Sequence, residues 1–407
     1  MLRKGMLSTL SNAVQRASVL IIYVIAARDM EAGKFGLDSS LVALAITIGS
    51  LSSLSLGQTA NRTLSRLRVA RLRVRMAVLI AQASLVTSSA STVFFLIFST
   101  SLVDFVTGES VECSETATIA VAVFAISLGA GLRGHIWAEM RYSALLVSSI
   151  ASAVTLFAVY GFSSALNSNL PLLQAYSAMV FTEAVILAAV VGVPLSRSLS
   201  LLTAPNWRQL RPVLRFSGLA TLNGLIFTPV NILLISMITT SLGSDVVGRF
   251  NMLVQVRNAI VFLPNGFASV ILTLMSRARG AADLWRNSLL LTAMAGLGSL
   301  PVGLVAYYWR PAGMQTEYIP LLFVTALTAM IIAMNTNIGQ AFLALGRLWV
   351  GIAANVVWSL TTLGLVAIVL AFEASGLVAV MVAIMLAYLI HTAIQILLIN
   401  RTTERAK

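Results

Sequence analysis

Charged residues are scarce in this sequence: they make up 10% of its 407 residues, against about 25% in a typical soluble domain. Cysteine and histidine are scarcer still, with one and two copies. The single Cys113 excludes an internal disulfide, and so few ligands predict no transition-metal site. Polar segments between apolar runs do not exceed about 22 residues. That length leaves no room for a separate soluble catalytic or receptor domain.

Apolar residues dominate instead, at 58% of the chain. They form runs of about 20 residues, each long enough to cross the ~30 Å hydrocarbon core of a bilayer as a helix. Strands of a membrane β-barrel would alternate polar and apolar residues, and runs such as Leu145–Val159 and Leu377–Leu389 do not. The sequence therefore predicts an all-α polytopic membrane protein.

Hydropathy and turn signals predict about twelve transmembrane helices. They fall near residues 6–27, 39–60, 76–99, 116–137, 143–163, 173–193, 215–240, 247–275, 288–308, 319–345, 349–372 and 376–400.

Positive charge is concentrated on one side of this predicted topology. With both termini cytoplasmic, 21 of the 27 Lys and Arg residues fall in inner segments, Arg133 and Arg141 among them. This bias over short connecting segments predicts the orientation of the chain in the membrane. An inner face in contact with anionic membrane lipid accounts for the net charge of +13 without any nucleic-acid partner.

The two halves of the chain carry a weak internal repeat. A shift of 215 residues superimposes Gly33-Lys34-Phe35 on Gly248-Arg249-Phe250, each expected in a short outer loop. The repeat predicts two six-helix lobes, residues 1–193 and 215–407, related by an axis along the membrane normal. Residues 194–214 are then a cytoplasmic linker that contains an amphipathic helix.

The residues at three connections resemble those of a known family. The stretch Arg28–Gly36 after the first span, the stretch Leu242–Phe250, and Ala344-Leu345-Gly346-Arg347 are similar to connecting segments of polysaccharide flippases. These proteins belong to the multidrug/oligosaccharidyl-lipid/polysaccharide (MOP) exporter superfamily. The first stretch departs from the family pattern, because Arg28-Asp29 replaces a leucine–glycine pair and a proline is missing.

The resemblance implies the two-lobed fold shared by multidrug and toxic compound extrusion (MATE) transporters. It also implies a transporter, not an enzyme, and one without a cofactor. Its cargo would be a lipid-linked oligosaccharide, the repeat unit of an O-antigen or exopolysaccharide on polyprenyl diphosphate, flipped by alternating access. H+ or Na+ as coupling ion and polysaccharide polymerase or assembly proteins as partners follow from the same resemblance.

Ionisable residues at membrane depth are costly and mark candidate positions on the cargo path. Arg16 lies twelve residues from Lys4 and from Arg28, about 18 Å from either end of its span. Its guanidinium is suited to a phosphate or carboxylate, or else pairs with an acid. Glu183 is the candidate acid, either as a coupling carboxylate or as a counter-ion of Arg16 or Arg257.

The eighth span supplies further candidates for the path. Gln255 and Asn258 belong to a stripe of amides along one face, and Arg257 lies beside it. The amide stripe either lines the path or packs against neighbouring helices. Arg249 is expected at the outer mouth of the path, or else is a solvated loop charge. Asn231 in the seventh span occupies the position equivalent to Arg16 under the 215-residue shift.

Three alternatives are less well supported by the residues. A cation-coupled multidrug exporter needs membrane-embedded acids in the first lobe, whereas this chain has Arg16 there. A peptidoglycan-precursor flippase usually has two further spans. A membrane-embedded enzyme of polysaccharide assembly generally needs a sizeable outer loop with acids or basic residues that bind and activate a donor. The longest outer loop, near 100–115, is short and has four acids but no Lys, Arg or His.

Overall fold

The computed structural model describes residues 2–53, 55–66, 69–109, 112–196, 207–275, 281–308, 318–344, 348–372 and 376–404. Within these ranges the chain forms thirteen α-helices and no strand. The helices are α1 (Leu2–Asp29), α2 (Ala32–Ser52), α3 (Leu56–Arg66), α4 (Ala70–Thr107), α5 (Cys113–Glu139), α6 (Tyr142–Ala165), α7 (Pro171–Ser196), α8 (Trp207–Leu242), α9 (Ser244–Met275), α10 (Ala281–Tyr308), α11 (Tyr318–Ala344), α12 (Leu348–Ala371) and α13 (Leu377–Glu404).

The predicted all-α membrane fold is confirmed. Within the described residues, ten helices are long and apolar enough to cross a bilayer, namely α1, α2, α4 to α7 and α10 to α13. The other two predicted spans, 215–240 and 247–275, fall on α8 and α9. The surface of α10 shows how such helices meet lipid, because its outward leucines, for example Leu289, Leu297 and Leu300, are largely exposed. Lipid tails, not water, are the solvent for these side chains.

The chain folds into two compact units, and the first comprises Met1–Gln15 and Asp38–Ile232. In this unit α5 packs against α3, α4 and α7, and α7 packs against α6. Helix α5 approaches α3 and α4 very closely, because a side chain at Gly134 would overlap the backbone of Gly57 and one at Gly131 would overlap Ser84. The second unit comprises Arg16–Leu37 and Leu233–Lys407. There α11 packs against α9, α10 and α13, and α13 packs against α12.

The predicted bounds of the second span, 39–60, are wrong. The helix begins at Ala32 and ends at Ser52, and a separate helix, α3, follows from Leu56. Ser52 donates to the Ile48 carbonyl oxygen (2.6 Å), and Ser55 adopts a left-handed backbone with φ 51°. Serine side chains that bond the preceding turn, followed by a left-handed residue, end a helix even where hydropathy continues.

The two Gly-basic-Phe motifs lie at the starts of helices and not in the outer loops predicted for them. Only Met30 and Glu31 separate α1 from α2, and only Gly243 separates α8 from α9. Gly243 has φ 91°, a conformation that lets glycine join two helices without a longer loop. The starts of α2 and α9 touch, since a side chain at Gly36 would overlap the Ser244 carbonyl and one at Gly248 would meet Phe35.

Arg133 is also misplaced by the sequence, which assigns it to an inner segment. It lies within α5, six residues before the end of the helix at Glu139. The left-handed Met140 (φ 57°) ends α5 only after Glu139, so Arg133 lies within the helix and not in the connection to α6. Parts of the linker predicted at 194–214 and of the turn at 344–347 lie outside the described residues. The division into lobes at that linker stays a prediction.

Candidate functional site

A buried carboxylate, Glu183, is the centre of the more deeply buried of the two ion pairs in the described part of the first unit. Glu183 lies near the middle of α7 and is 3% exposed. Both of its oxygens accept from Arg133 on α5: Nε donates to Oε1 over 2.8 Å, and Nη2 donates to Oε2. This is a bidentate ion pair, the strongest form of arginine–carboxylate contact.

A third helix completes the cluster through Gln15. Its Nε2 donates to Oε2 of Glu183 over 2.6 Å, and Gln15 lies near the middle of α1. The carboxylate therefore accepts three hydrogen bonds from two helices. Charges at this depth are stable only when paired and hydrogen-bonded, and Glu183 meets both conditions.

Packing between α5 and α7 fixes the geometry of the pair. Leu132 and Ile136 on α5 form an apolar cluster with Leu187 and Val191 on α7. Arg133 is adjacent to Leu132 in sequence but points to a different side of the helix. One turn earlier on the side of Arg133, a methyl group added to Gly129 would meet no atom within 4 Å. There is open space beside the arginine.

A second acid, Asp38, lies within a span and has a structural role. It is 0% exposed, and its carboxylate accepts from the backbone N–H groups of Leu172 and Leu173, each over 2.8 Å. These groups belong to the first turn of α7, so Asp38 caps that helix from α2. The sequence misses Asp38 because the second span is predicted to begin one residue later.

The structure places the predicted path residues on α1, α8 and α9. Arg16 is exposed on α1, and Asn231 is exposed on α8. On α9, Gln255 is 9% exposed, whereas Arg257 and Asn258 are half-buried. The set is divided between the units: Asn231 belongs to the first, and Arg16 and the α9 residues belong to the second.

Arg249 and Arg257 differ in their electrostatic partners. Arg249 pairs weakly with Asp245 one turn earlier, with Nη2 and Oδ2 3.9 Å apart. Arg257 has no ion pair with any acid in the described ranges. Its charge is therefore available, while that of Arg249 is partly compensated.

The second unit has its own buried polar cluster. His391 on α13 lies 3.4 Å from the Asn335 amide nitrogen through Nδ1 and 3.0 Å from the Gln395 amide nitrogen through Nε2. Thr392 donates to Oδ1 of Asn335 over 2.7 Å. Trp358 packs beside this group, with its ring tilted by 41° and its centroid 6.2 Å from that of His391. These contacts join α11, α12 and α13.

Among the residues that the structure describes, no three His, Cys, Asp or Glu side chains are grouped as a metal site would require. The ion pairs in the described part of the chain are all formed between arginine guanidinium groups and carboxylates.

The chain is similar to known proteins in structure, but no match is found by sequence. No protein-family model matches the chain, and no curated protein sequence matches it. Among solved structures, the inward-facing conformation of a multidrug resistance MATE family transporter of the MOP superfamily matches with a TM-score of 0.70. The two chains are 16% identical, and the match covers 98% of this chain and 95% of that one.

Two other solved structures match equally well. The lipid II flippase MurJ, in an inward closed conformation, has a TM-score of 0.70 at 11% identity over 97% of this chain and 87% of that chain. A MOP superfamily transporter from Pyrococcus furiosus, described by the reverse polarity of its binding pocket as suggesting a different function, has a TM-score of 0.69. It is 15% identical over 99% of this chain and 95% of that one. The chain thus has the MATE-like fold common to these MOP superfamily structures.

Proposed function

We propose that this protein is a transporter of the MOP superfamily that moves a lipid-linked oligosaccharide across the bacterial inner membrane. The cargo class is a sugar repeat unit on polyprenyl diphosphate. The MATE-like fold supports a transporter, since its structural neighbours are described as transporters and a flippase. One of them is described as a lipid II flippase.

The observation that carries the proposal is the state of the charges at membrane depth. The two acids buried within described spans are fully engaged: Asp38 by backbone N–H groups and Glu183 by Arg133 and Gln15. In contrast, Arg257 is half-buried and has no acidic partner in the described ranges. Near the middle of α9 the accessible charge is therefore positive. Positive charge attracts an anionic head group and repels a cation.

The chemistry of the cargo agrees with this charge. A diphosphate head group offers oxygens that guanidinium groups bind in a forked geometry. Its polyprenyl tail can stay in lipid, against apolar outer surfaces such as that of α10. In this proposal the head group crosses a polar path while the protein alternates between inward-facing and outward-facing states.

A multidrug exporter is the competing hypothesis, because one structural neighbour is a multidrug resistance transporter. Binding of a cationic drug would require an acid whose charge is available. Engaged acids argue against that cargo. Another neighbour is described as having a binding pocket of reverse polarity, which suggests a different function for that protein.

The test is transport by the purified full chain in liposomes. A fluorescent oligosaccharide on polyprenyl diphosphate is placed in the outer leaflet, and its protection from a membrane-impermeant quencher reports translocation. We expect the wild type to protect it, and Arg16→Ala and Arg257→Ala to slow protection about tenfold, since each removes a charge worth ~1.4 kcal/mol or more to an anion. An ethidium-type cation in the same liposomes tests the competing hypothesis.

Arg141→Ala is the matched control, because Arg141 is an exposed arginine outside the spans, 43% exposed and 3.5 Å from Glu139. It should transport at the wild-type rate. Movement of the cation but not of the diphosphate lipid would reject the proposal in favour of drug export.

A further inference from the structure

The geometry of the Arg133–Glu183 pair points to an oxyanion-binding subsite in the first unit, with Arg133 as its binding residue. The exposed edge of the Arg133 guanidinium binds a phosphate oxygen of the cargo, while Glu183 and Gln15 hold that edge in position. This inference rests on the proposed function and names the part of the chain that contacts the head group.

The ion pair leaves donors of Arg133 unused. A guanidinium has five N–H donors, and Glu183 accepts from Nε and from one hydrogen of Nη2. Nη1 has no hydrogen-bond partner among the described residues and is not one of their fully buried atoms. One of its hydrogens and the second hydrogen of Nη2 point in parallel and form a fork on an edge that Glu183 does not occupy. A fork of this kind matches two oxygens of a phosphate.

Exposure differs sharply between the two partners. The Arg133 side chain is 31% exposed and that of Glu183 is 4% exposed. The accessible part of the pair is therefore the cation. The pair has no net charge, but its exposed part consists of the N–H donors and positive charge of Arg133. The carboxylate of Glu183 is enclosed by α1, α5 and α7.

The location suits a cargo path better than a protein surface. Glu183 is twelve residues from the start of α7 at Pro171, about 18 Å along the helix, and Gln15 is similarly central in α1. Long helical side chains lean toward the amino terminus, which brings the Arg133 head group back toward mid-membrane. The open space at Gly129 lies in that direction. An exposed guanidinium at this depth requires an anion or water, since lipid tails offer no acceptor.

Gln15 and Glu183 are positioning residues in this arrangement. The three hydrogen bonds to the Glu183 carboxylate fix the plane of that group. Because two of them come from Arg133, they hold the guanidinium in the same plane. A fixed donor fork loses less side-chain entropy when an anion binds.

The test measures binding by the full-length protein in detergent micelles, using isothermal titration with farnesyl diphosphate as probe. Because Arg133→Ala alone could unfold the chain, the principal variant is the double substitution Arg133→Gln with Glu183→Gln, which keeps a neutral hydrogen-bonded pair. We expect it to weaken binding about tenfold, the loss of one charge-assisted contact. Arg141→Gln should bind as the wild type does.

A charge swap separates binding from mere pairing. The double substitution Arg133→Glu with Glu183→Arg restores an ion pair. It moves the guanidinium to position 183 on α7, where the side chain is enclosed and its donors cannot reach the cargo. We expect it to recover thermal stability without recovering affinity. If the swap recovers affinity as well, or if the amide variant binds farnesyl diphosphate as tightly as the wild type does, Arg133 is not the subsite.

Two further probes identify the source of the phosphate. Inorganic pyrophosphate should compete with farnesyl diphosphate in the wild type, because the subsite contacts the diphosphate and not the tail. Equal and Arg133-dependent competition by phosphatidylglycerol would overturn the assignment to cargo and make this a phospholipid headgroup site. If the wild type binds none of the phosphate probes, the proposed anionic cargo itself is wrong, a result distinct from unchanged binding in the amide variant.

Discussion

The unequal burial of Arg133 and Glu183 predicts unequal costs when either partner is neutralised. Arg133→Gln leaves a carboxylate that is 4% exposed, with Gln15 as its remaining side-chain donor among the described residues. Glu183→Gln leaves a guanidinium that is 31% exposed and can be hydrated. The first change strands a charge in an enclosed site, and the second does not.

The magnitudes follow from this difference. Removing one partner of a buried ion pair lowers the free energy of unfolding by about 3–5 kcal/mol. Because the Arg133–Glu183 pair is only partly buried on its arginine side, we expect ~3 kcal/mol for Arg133→Gln. Glu183→Gln should cost ~1 kcal/mol, the net value of a hydrogen bond lost without stranding a charge. The double substitution should cost less than the sum of the two, with a coupling energy of ~2 kcal/mol.

The assay is reversible unfolding of the purified chain in mixed detergent micelles, titrated with SDS and followed by tryptophan fluorescence. Arg141→Gln serves as the control and should change the free energy of unfolding by ~1 kcal/mol at most, because this exposed arginine contributes one hydrogen bond to the Val190 carbonyl and one solvent-screened pair with Glu139. Equal costs for the two single substitutions, or costs that simply add, would refute the argument that the carboxylate is the enclosed partner.

Two other predictions concern helix starts. Asp38→Asn should destabilise the chain by ~1–2 kcal/mol and speed hydrogen exchange at Leu172 and Leu173, because it removes the charge that caps α7; unchanged exchange there would contradict the cap. Gly36→Ala should cost ~1–3 kcal/mol in the same unfolding assay, since the new methyl overlaps the Ser244 carbonyl. Gly161→Ala, where a methyl meets nothing within 4 Å, should be neutral or slightly stabilising.

Hydropathy predicts most of this fold because each long apolar run must cross the bilayer as a helix. The predicted spans 143–163 and 349–372 agree with α6 and α12 to within two residues. It fails between α2 and α3, where the break depends on serine side chains and a left-handed residue. Hydropathy averages over a window and does not register one backbone conformation.

The candidate site is less predictable than the fold. Glu183 stands out in the sequence as a membrane-embedded acid, but its partner Arg133 is fifty residues away along the chain. No local pattern connects two helices at that separation. The predicted span 116–137 contains Arg133, so its depth can be inferred from hydropathy. The assignment of Arg133 to an inner segment has another origin: the charge count includes arginines near the inner ends of predicted spans, and Arg133 is near the end of span 116–137.

The contact between the starts of α2 and α9 places like ends of two helix dipoles side by side. Each amino-terminal end carries about half a positive charge, and Lys34 and Arg249 add cations to the same turns. Two acids oppose this charge, namely Glu31 directly before α2 and Asp245, 3.9 Å from Arg249. The contact is therefore held by the close approach at Gly36 and Gly248 and needs no ion pair between the two helices. It should change little with ionic strength, unlike a contact held by ion pairs.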